Sequence, residues 1–249
     1  MSEFPFVGLH GFTGAPDVFT ALDVSFLWAP FLAGHGRSPN IEATSFQEEV
    51  ARLAGELRKR AVSKVHLLGY SMGGRLALGL LDFAPQLFAR ATLIGVNPGL
   101  QSEEERESRR AWETEWVNIL NNEGIAGFEE RWSSLPIFAS QTRLSRSQTD
   151  AQRDTRRAHT AAGLGHAMRV LGLGSMPNYW PALGAISVPV DLVFGEQDEK
   201  FARLMMQAEQ LNPRFRCVSI SGVGHNPLVE APDRVRDILL APYREDVQP

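Results

Sequence analysis

The chain has 249 residues, a formal net charge of −4 and 43% hydrophobic residues, values typical of a soluble globular protein. The acidic balance argues against a nucleic-acid-binding protein, because such proteins need surplus lysine and arginine to displace counterions from phosphates. No apolar run approaches the roughly 18 residues of a membrane span, and the single cysteine excludes an intrachain disulfide or a thiolate metal cluster. The start of the chain lacks the basic and apolar regions of a signal peptide, so we expect a cytoplasmic protein.

Short apolar runs rich in β-branched and aromatic residues alternate with helical patterns along the chain. The predicted strands are Phe6–Leu9, Ser25–Ala29, Lys64–Leu68, Ala91–Val96, Val188–Phe194 and Arg214–Ile220. This alternation predicts an α/β fold with a mostly parallel sheet of about six strands and helices on both faces.

A helix is predicted between the second and third strands. Phe46, Val50 and Leu57 lie at helical spacing, and Ser45 followed by Glu48 predicts a capping box at the start of the helix. We expect the apolar face of this helix to pack on the sheet.

The alternation stops in residues 101–180, where no strand pattern appears. Residues 101–160 contain 9 arginines and 11 acidic residues, a density that we interpret as helical but too polar to form a core. We therefore predict a helical insertion, residues 101–180, within a single domain that spans residues 1–249. Such an insertion often acts as a lid over the strand ends, where ligands bind in open α/β sheets. A solvated helical hairpin is the alternative.

Residues 69–73 read Gly-Tyr-Ser-Met-Gly, directly after the third predicted strand and directly before a helical pattern. This motif at a strand-to-helix turn is typical of a nucleophile elbow, in which the serine projects from a strained turn. The helix that begins after Ser71 directs its backbone N–H groups at negative charge that develops there. Ser71 is therefore the predicted reactive residue, and a glycine-rich turn with an idle serine is the alternative.

An oxyanion hole needs a second N–H donor in addition to the helix that follows the elbow. The segment His10–Gly14 follows the first predicted strand, where such a loop is expected. We predict that the backbone N–H groups of Phe12 and Met72 together form the hole.

A neutral serine needs a histidine that takes its proton, and the histidine needs an acid that holds its tautomer. His225 lies in a loop directly after the last predicted strand, at the end of the sheet where the elbow opens. Asp198 follows the preceding strand in the same way. Its alternatives are a helix-capping role and replacement by its neighbour Glu196. The predicted triad is Ser71, Asp198 and His225.

The other histidines are given structural interpretations. His66 lies within a strand, His35 is interpreted as part of a turn near the sheet edge, and His159 and His166 are expected to be solvated or to cap helices. The sequence has no closely spaced cluster of histidines and carboxylates and no phosphate-binding glycine motif after a strand. We therefore predict neither a metal site nor an organic cofactor.

The His10–Gly14 loop, the elbow and the order Ser71, Asp198, His225 resemble the α/β-hydrolase superfamily over essentially the whole chain. Within this superfamily the chain looks most similar to the 2-succinyl-6-hydroxy-2,4-cyclohexadiene-1-carboxylate (SHCHC) synthase family of menaquinone biosynthesis. The local matches are Arg75 after the elbow, Pro98–Gln101, Trp132, Pro136–Ser140 and Gly195–Phe201.

The resemblance implies that Arg75, Arg109 and Trp132 bind substrate, and Tyr70 inside the elbow motif is assigned with them. Arg75 is four residues after Ser71, so on a helix both project to the same side, and a guanidinium suits a substrate carboxylate.

Arg109 lies on the predicted insertion helix, where it is placed to close over another carboxylate. Its neighbours Arg106 and Arg110 compete for this role. Surface ion pairs of low energy are the alternative for Arg75 and Arg109, and packing is the alternative for Trp132.

The resemblance further implies a lyase that takes a small polycarboxylate. Its substrate, 2-succinyl-5-enolpyruvyl-6-hydroxy-3-cyclohexene-1-carboxylate, loses pyruvate when Ser71, activated by His225, removes the proton α to the succinyl ketone. The same residue types suit a serine carboxylesterase, a thioesterase or a C–C bond hydrolase that acts through an acyl-enzyme. A binding protein that keeps the fold without catalysis is a third hypothesis.

Overall fold

The computed structural model describes residues 4–37 and 39–242. The start of the chain, for which we expect no signal peptide, therefore lies partly outside the described residues. The last part of the predicted domain also lies outside them. The strands are β1 Phe6–Leu9, β2 Phe26–Trp28, β3 Val65–Tyr70, β4 Phe88–Ile94, β5 Val190–Gly195 and β6 Phe215–Ile220. They form one sheet in the order β2-β1-β3-β4-β5-β6, and all neighbouring strands are parallel. The predicted sheet is confirmed.

The strand ends differ from the predicted ones by a few residues. β4 begins at Phe88, earlier than predicted, because the Phe88 ring is buried in the core. It ends at Ile94 because Gly95 has a φ of 59°, outside the extended region. β3 continues to Tyr70, so the strand reaches the residue before Ser71.

Helices cover both faces of the sheet, as predicted. They are α1 Phe46–Arg60, α2 Met72–Phe83, α3 Glu103–Ser133, α4 Arg146–Arg157, α5 Ala161–Leu171, α6 Glu199–Glu209, α7 Pro227–Glu230 and α8 Pro232–Leu240. Successive strand residues point to opposite faces: Val7 packs in the cluster with α1, α2 and α6, whereas Phe6 packs with α8 and the 3-10 helix Pro16–Leu22. No helix of the described residues combines the length and the apolar character that a membrane span needs.

The cap of α1 differs in one detail from the prediction. Ser45 Oγ accepts a hydrogen bond from the Glu48 N–H at 3.2 Å, as expected. The Glu48 carboxylate, however, accepts from the N–H and the hydroxyl of Thr44, at 2.7 and 2.8 Å. The predicted capping box is therefore wrong in its second half, because Thr44 offers two donors to the carboxylate.

The insertion between β4 and β5 is helical, and its described residues contain no strand. α3 is interrupted at Gly124, which has a φ of 69°. The helices α3 and α5 form a small apolar cluster of their own, which consists of Trp116, Val117, Leu120, Phe128, Trp132, Leu164 and Met168. The expectation that this segment is too polar for a core is wrong, because the charges lie on the outer faces of helices whose inner faces are aromatic.

The strand order places a crevice at the carboxyl ends of β1 and β3. From β1 the chain passes to β2 at one edge of the sheet and then returns to β3 on the other side of β1. The loop after β1 therefore leads to the 3-10 helix on one face, while the loop after β3 leads to α2 on the opposite face. Such a reversal of strand order is where ligands bind in open α/β sheets.

Candidate active site

Ser71 occupies a strained turn between β3 and α2. Its backbone has φ 50° and ψ −110°, a region that residues with a side chain seldom adopt. The turn is held by the Ser71 N–H, which donates to the Ile94 carbonyl at 2.8 Å. A Cβ on Gly73 would lie 2.1 Å from the Leu9 carbonyl oxygen, so only glycine lets α2 begin this close to β1. The strained strand-to-helix turn predicted from the sequence is present, and the role of Ser71 as the reactive residue stays a prediction.

Ser71, His225 and Asp198 form a chain of hydrogen bonds. His225 Nε2 lies 3.1 Å from Ser71 Oγ, and His225 Nδ1 lies 2.6 Å from Asp198 Oδ2. This geometry fits a neutral imidazole that donates from Nδ1 to the carboxylate and accepts the serine proton at Nε2. Loops after three different strands thus bring the three predicted side chains together.

The alternatives to Asp198 are disfavoured by the geometry. Asp198 occupies the N-cap position of α6, but its side chain makes no capping hydrogen bond and is directed at His225 instead. The exposed Glu196 accepts from the N–H of Gly222 at 2.9 Å.

Phe12 and Met72 line the same cavity as Ser71. Met72 is the first residue of α2, where a backbone N–H has no partner inside the helix. Neither the Phe12 nor the Met72 N–H meets a backbone acceptor among the described residues. Both donors are therefore available to a ligand oxygen beside Ser71, although their role as an oxyanion hole stays a prediction.

The cavity above Ser71 has a volume of about 990 Å³, at the upper end of the roughly 300–1,000 Å³ of small-molecule sites. Its walls come from the loops at the strand ends and from the helical insertion. Among the described residues, no group of three or more histidine, cysteine or acidic side chains is arranged to hold a metal ion.

Arg75 lies one turn after Ser71 on α2 and lines the cavity. Its Nη1 contacts Met176 Sδ at 3.8 Å, and within residues 4–37 and 39–242 no carboxylate lies at ion-pair distance from it. Burial is the main cause that lowers the pKa of Arg75 to about 10, and the nearby charge of Arg109 lowers it further while Glu113 opposes the shift. This enclosed cation is therefore placed to receive an anionic group from a ligand.

Arg109 also lines the cavity, but it has partners inside the protein. Its Nε donates to Glu113 Oε1 at 2.8 Å, and its guanidinium lies 4.1 Å from the centre of the Trp112 ring. The competing residues Arg106 and Arg110 donate to backbone carbonyls of the segment after α5 and do not line the cavity. Arg109 is thus the arginine of this group that faces the site, with its charge partly compensated.

A scan against protein-family models matches the alpha/beta hydrolase family over residues 6–238. The chain belongs to that family. It is 33% identical to a putative SHCHC synthase of Bacillus subtilis over 91% of this chain and 85% of the relative. The solved structure of MenH from S. aureus superimposes with a TM-score of 0.90 at 30% identity, covering 96% of this chain and 93% of that one.

A more distant structural neighbour supports the fold alone. A thermophilic esterase from Thermogutta terrifontis superimposes with a TM-score of 0.80 at 23% identity and covers 96% of this chain and 88% of that one. Proteins that share one fold can carry out different reactions, so the side chains of the cavity, and not the fold, must determine the specificity.

Trp132 and Tyr70 form aromatic walls of the cavity. The Trp132 ring stacks on Phe128 at 5.3 Å and meets the Phe12 ring edge-on at 5.1 Å, so most of its surface serves packing. Its buried Nε1 has no hydrogen-bond partner within the described ranges. The buried Tyr70 ring lies 5.6 Å from the His225 ring, and burial together with the Asp198 charge raises the pKa of Tyr70.

Arg156 on α4 lines the same cavity and was missed by the sequence analysis. Its Nη1 donates to Ser133 Oγ at 2.7 Å, and its guanidinium lies 5.2 Å from the centre of the Phe138 ring. Burial lowers its pKa. The sequence contains one signal for this residue, because α4 has almost no apolar residue. If α4 packs against the site, it must therefore place a polar side chain there.

Proposed function

We propose that the protein is a lyase that eliminates pyruvate from 2-succinyl-5-enolpyruvyl-6-hydroxy-3-cyclohexene-1-carboxylate and releases SHCHC. The observation that carries this proposal is Arg75, an enclosed guanidinium one turn from Ser71 with no carboxylate partner in the described residues. A neutral ester would leave this buried charge without a counter-ion, whereas a polycarboxylate supplies one. The name of the Bacillus subtilis relative agrees with the proposed product, SHCHC.

The binding step uses the arginines of the cavity. Arg75 approaches from the sheet side, and Arg109 and Arg156 approach from the helical insertion. Fork-shaped guanidinium groups bind carboxylates through paired hydrogen bonds, and the partial burial of these arginines strengthens such bonds. The insertion serves as a lid that completes the site over the bound substrate.

The chemical step begins with proton abstraction from the ring carbon α to the succinyl ketone. Ser71 Oγ removes the proton, and His225, held by Asp198 at 2.6 Å, takes the serine proton in turn. The electron pair of the broken C–H bond forms an enolate, whose oxygen is stabilised by the N–H groups of Phe12 and Met72.

The second step releases the product. As the enolate collapses to the ketone, a C=C bond forms at the α carbon, the ring double bond shifts by one position, and the C–O bond to the enolpyruvyl group breaks. The leaving enolate of pyruvate takes up a proton, which the imidazolium of His225 supplies through Ser71. Atoms and charge therefore balance without a cofactor.

A serine hydrolase is the second candidate. The distance of 3.1 Å between His225 Nε2 and Ser71 Oγ suits nucleophilic attack as well as proton removal. The two candidates differ in what Ser71 attacks, so only the products separate them.

The test is pyruvate release from freshly generated substrate, measured beside hydrolysis of a p-nitrophenyl ester. We expect rapid pyruvate release with little ester turnover, and a loss of at least about a thousandfold in Ser71→Ala. Ser134→Ala is the control, because Ser134 is exposed and its Oγ donates to the Arg131 carbonyl outside the cavity. Ester hydrolysis without pyruvate release would favour the hydrolase, and no activity in either assay would favour a binding protein.

A further inference from the structure

Three buried histidines form a row beneath the loop that follows β1. The ring centres of His10 and His35 are 4.9 Å apart, and those of His35 and His159 are 5.3 Å apart. The first two rings come from loops after β1 and β2, whereas His159 comes from the helical insertion, between α4 and α5. The row therefore connects the insertion to the loop that carries Phe12.

His159 is bonded to both of these loops. Its Nδ1 accepts from the Gly36 N–H at 2.9 Å, and its Nε2 donates to the Thr13 carbonyl at 3.1 Å. The expectation that His159 is solvated or caps a helix is wrong, because only 4% of its surface is exposed and its two nitrogens are taken up by distant backbone groups.

His35 binds Thr13 from the other side. Its Nε2 accepts from the Thr13 N–H at 3.2 Å, and its Nδ1 donates to the Ala33 carbonyl at 3.0 Å. The earlier interpretation of His35 as part of a turn near the sheet edge misses this role, because the ring lies inward and is 1% exposed. Thr13 is thus bound from both sides, by one histidine of the framework and one histidine of the insertion.

Thr13 needs this support because its backbone is strained. It has a φ of 62°, a left-handed conformation that costs a β-branched residue more than most others. Phe12 immediately precedes it, so a rotation of the Thr13 backbone would turn the peptide between Phe12 and Thr13 and would move Phe12 and its N–H with it. A neutral histidine has one donor and one acceptor nitrogen. His35 and His159 each use both nitrogens in this way.

We infer that His159 is a positioning residue that couples the helical insertion to the oxyanion hole. When the insertion is seated, His159 binds the Thr13 carbonyl, His35 binds the Thr13 N–H, and the Phe12 N–H is held toward Ser71. When the insertion moves away, the left-handed conformation of Thr13 loses one of its two supports and the donor loses its orientation. The inference rests on the proposed role of Phe12 in the oxyanion hole. It gives the insertion a second role in addition to covering the cavity.

The close contact between the insertion and the loop after β2 supports this coupling. A Cβ on Gly34 would lie 2.3 Å from the Gly163 carbonyl oxygen, and a Cβ on Gly163 would lie 2.5 Å from the Gly34 carbonyl oxygen. The start of α5 therefore touches this loop backbone to backbone. This backbone packing fixes the position of His159 relative to the Thr13 carbonyl when the insertion is seated.

Two substitutions of His159 separate its two hydrogen bonds. In His159→Asn the amide oxygen replaces Nδ1 and still accepts from Gly36, but the donor to Thr13 is lost. In His159→Gln the amide nitrogen replaces Nε2 and still donates to Thr13, while the acceptor for Gly36 is lost. His166→Asn is the control, because His166 lies on the same insertion and its backbone hydrogen bond is to Ala43, which is outside the Phe12 loop.

The readout is the rate at which a p-nitrophenyl alkylphosphonate labels Ser71. Ser71 Oγ bonds to phosphorus, its proton passes to His225, and p-nitrophenolate leaves while the phosphoryl oxygen occupies the oxyanion hole. We expect at least a tenfold slower labelling in His159→Asn, because removal of one donor of such a hole costs about 10²–10³ in rate. His159→Gln and His166→Asn should stay within about threefold of the wild type.

The same variants are then compared in pyruvate release, where His159→Asn should lower kcat and leave KM nearly unchanged. A role in packing alone would lower the melting temperature of both His159 variants equally and would not separate their labelling rates, which would overturn the inference. Labelling does not need the proposed substrate, so a failure of pyruvate release alone overturns the proposed function and leaves the inference standing.

A measurement on the wild type covers the case in which the variants do not fold. Hydrogen exchange of the Thr13 N–H should be slow, comparable with that of the central strands, because this N–H is bonded to a buried ring. Complete exchange within seconds would mean that the loop is not held, and the inference would fail.

Discussion

The carboxyl ends of the strands and the helical insertion face the same cavity with different chemistry. The strand side presents backbone donors and short side chains in strained or closely packed positions, of which Ser71 with a φ of 50° is the example. The insertion presents long cationic and aromatic side chains such as Arg109 and Trp132. Under the proposed function, reaction geometry is set by the rigid framework, and ligand selection is shared between Arg75 of the framework and an insertion that can be replaced without rebuilding the sheet.

The largest expected effect is on the framework, at the junction of α2 and β1. We expect Gly73→Ala to lower the free energy of unfolding by about 4 kcal/mol or more, because the added Cβ would lie 2.1 Å from the Leu9 carbonyl oxygen. Urea denaturation measures this loss.

The control for this substitution is Gly55→Ala on α1. A Cβ at Gly55 meets no atom within 4 Å, so alanine should raise the free energy of unfolding by about 0.5–1 kcal/mol through its higher helix propensity. A Gly73→Ala protein within 1 kcal/mol of the wild type would contradict the close packing described above.

The next effect concerns the histidine row that joins the two regions. Burial lowers the pKa of His10 from 6.5 to about 4 and also lowers the pKa values of His35 and His159, where the nearby Asp17 partly opposes the shift at His159. The unfolded chain takes up protons near pH 6.5 while the folded protein does not, so stability is present above this pH and falls as the solution becomes more acidic. We expect His10 alone to account for about 3 kcal/mol between pH 6.5 and 4.

Urea denaturation at pH 7, 5.5 and 4.5 checks this prediction when the wild type is compared with a His10 variant, because carboxylates such as Glu56, whose pKa is lowered to about 2 by hydrogen bonds from Lys59 and Arg60, contribute equally to both proteins. The variant His10→Asn keeps a donor toward the Gly11 carbonyl and removes the titrating ring, so its stability should depend less steeply on pH. An equal slope in both proteins would show that the histidine row does not control acid stability.

The two regions also differ in how much of them can be predicted from the sequence. The strands, the elbow and the positions of Asp198 and His225 follow from local patterns, because hydrophobic alternation and loops after strands are encoded within a few residues. Arg156 and His159 do not follow, because their roles depend on contacts with residues more than a hundred positions away or across helices. A polar segment gives no periodic signal for its inner face, so the small aromatic core of the insertion was also missed.

The third prediction concerns Arg75, the cation on the strand side. Arg75→Met keeps the unbranched apolar stem of the side chain and removes a charge that has no carboxylate partner among the described residues. We expect kcat/KM for pyruvate release to fall about a hundredfold, or about 2.7 kcal/mol, while the melting temperature stays equal or rises. A drop in melting temperature together with unchanged kinetics would mean that Arg75 serves the fold instead of the ligand.

The smallest expected effect is at Arg109, the corresponding cation of the insertion. Its Nε already donates to Glu113 at 2.8 Å and its guanidinium stacks on Trp112, so some of its hydrogen-bonding and charge interactions are already made inside the protein. We expect Arg109→Gln to raise KM about tenfold with little change in kcat. Arg110→Gln is the matched control, because Arg110 pairs with Glu103 outside the cavity and its loss should leave both constants unchanged. If Arg109→Gln instead lowered kcat as strongly as Arg75→Met, the insertion would contribute to the reaction step itself, and the division between framework and insertion would not hold.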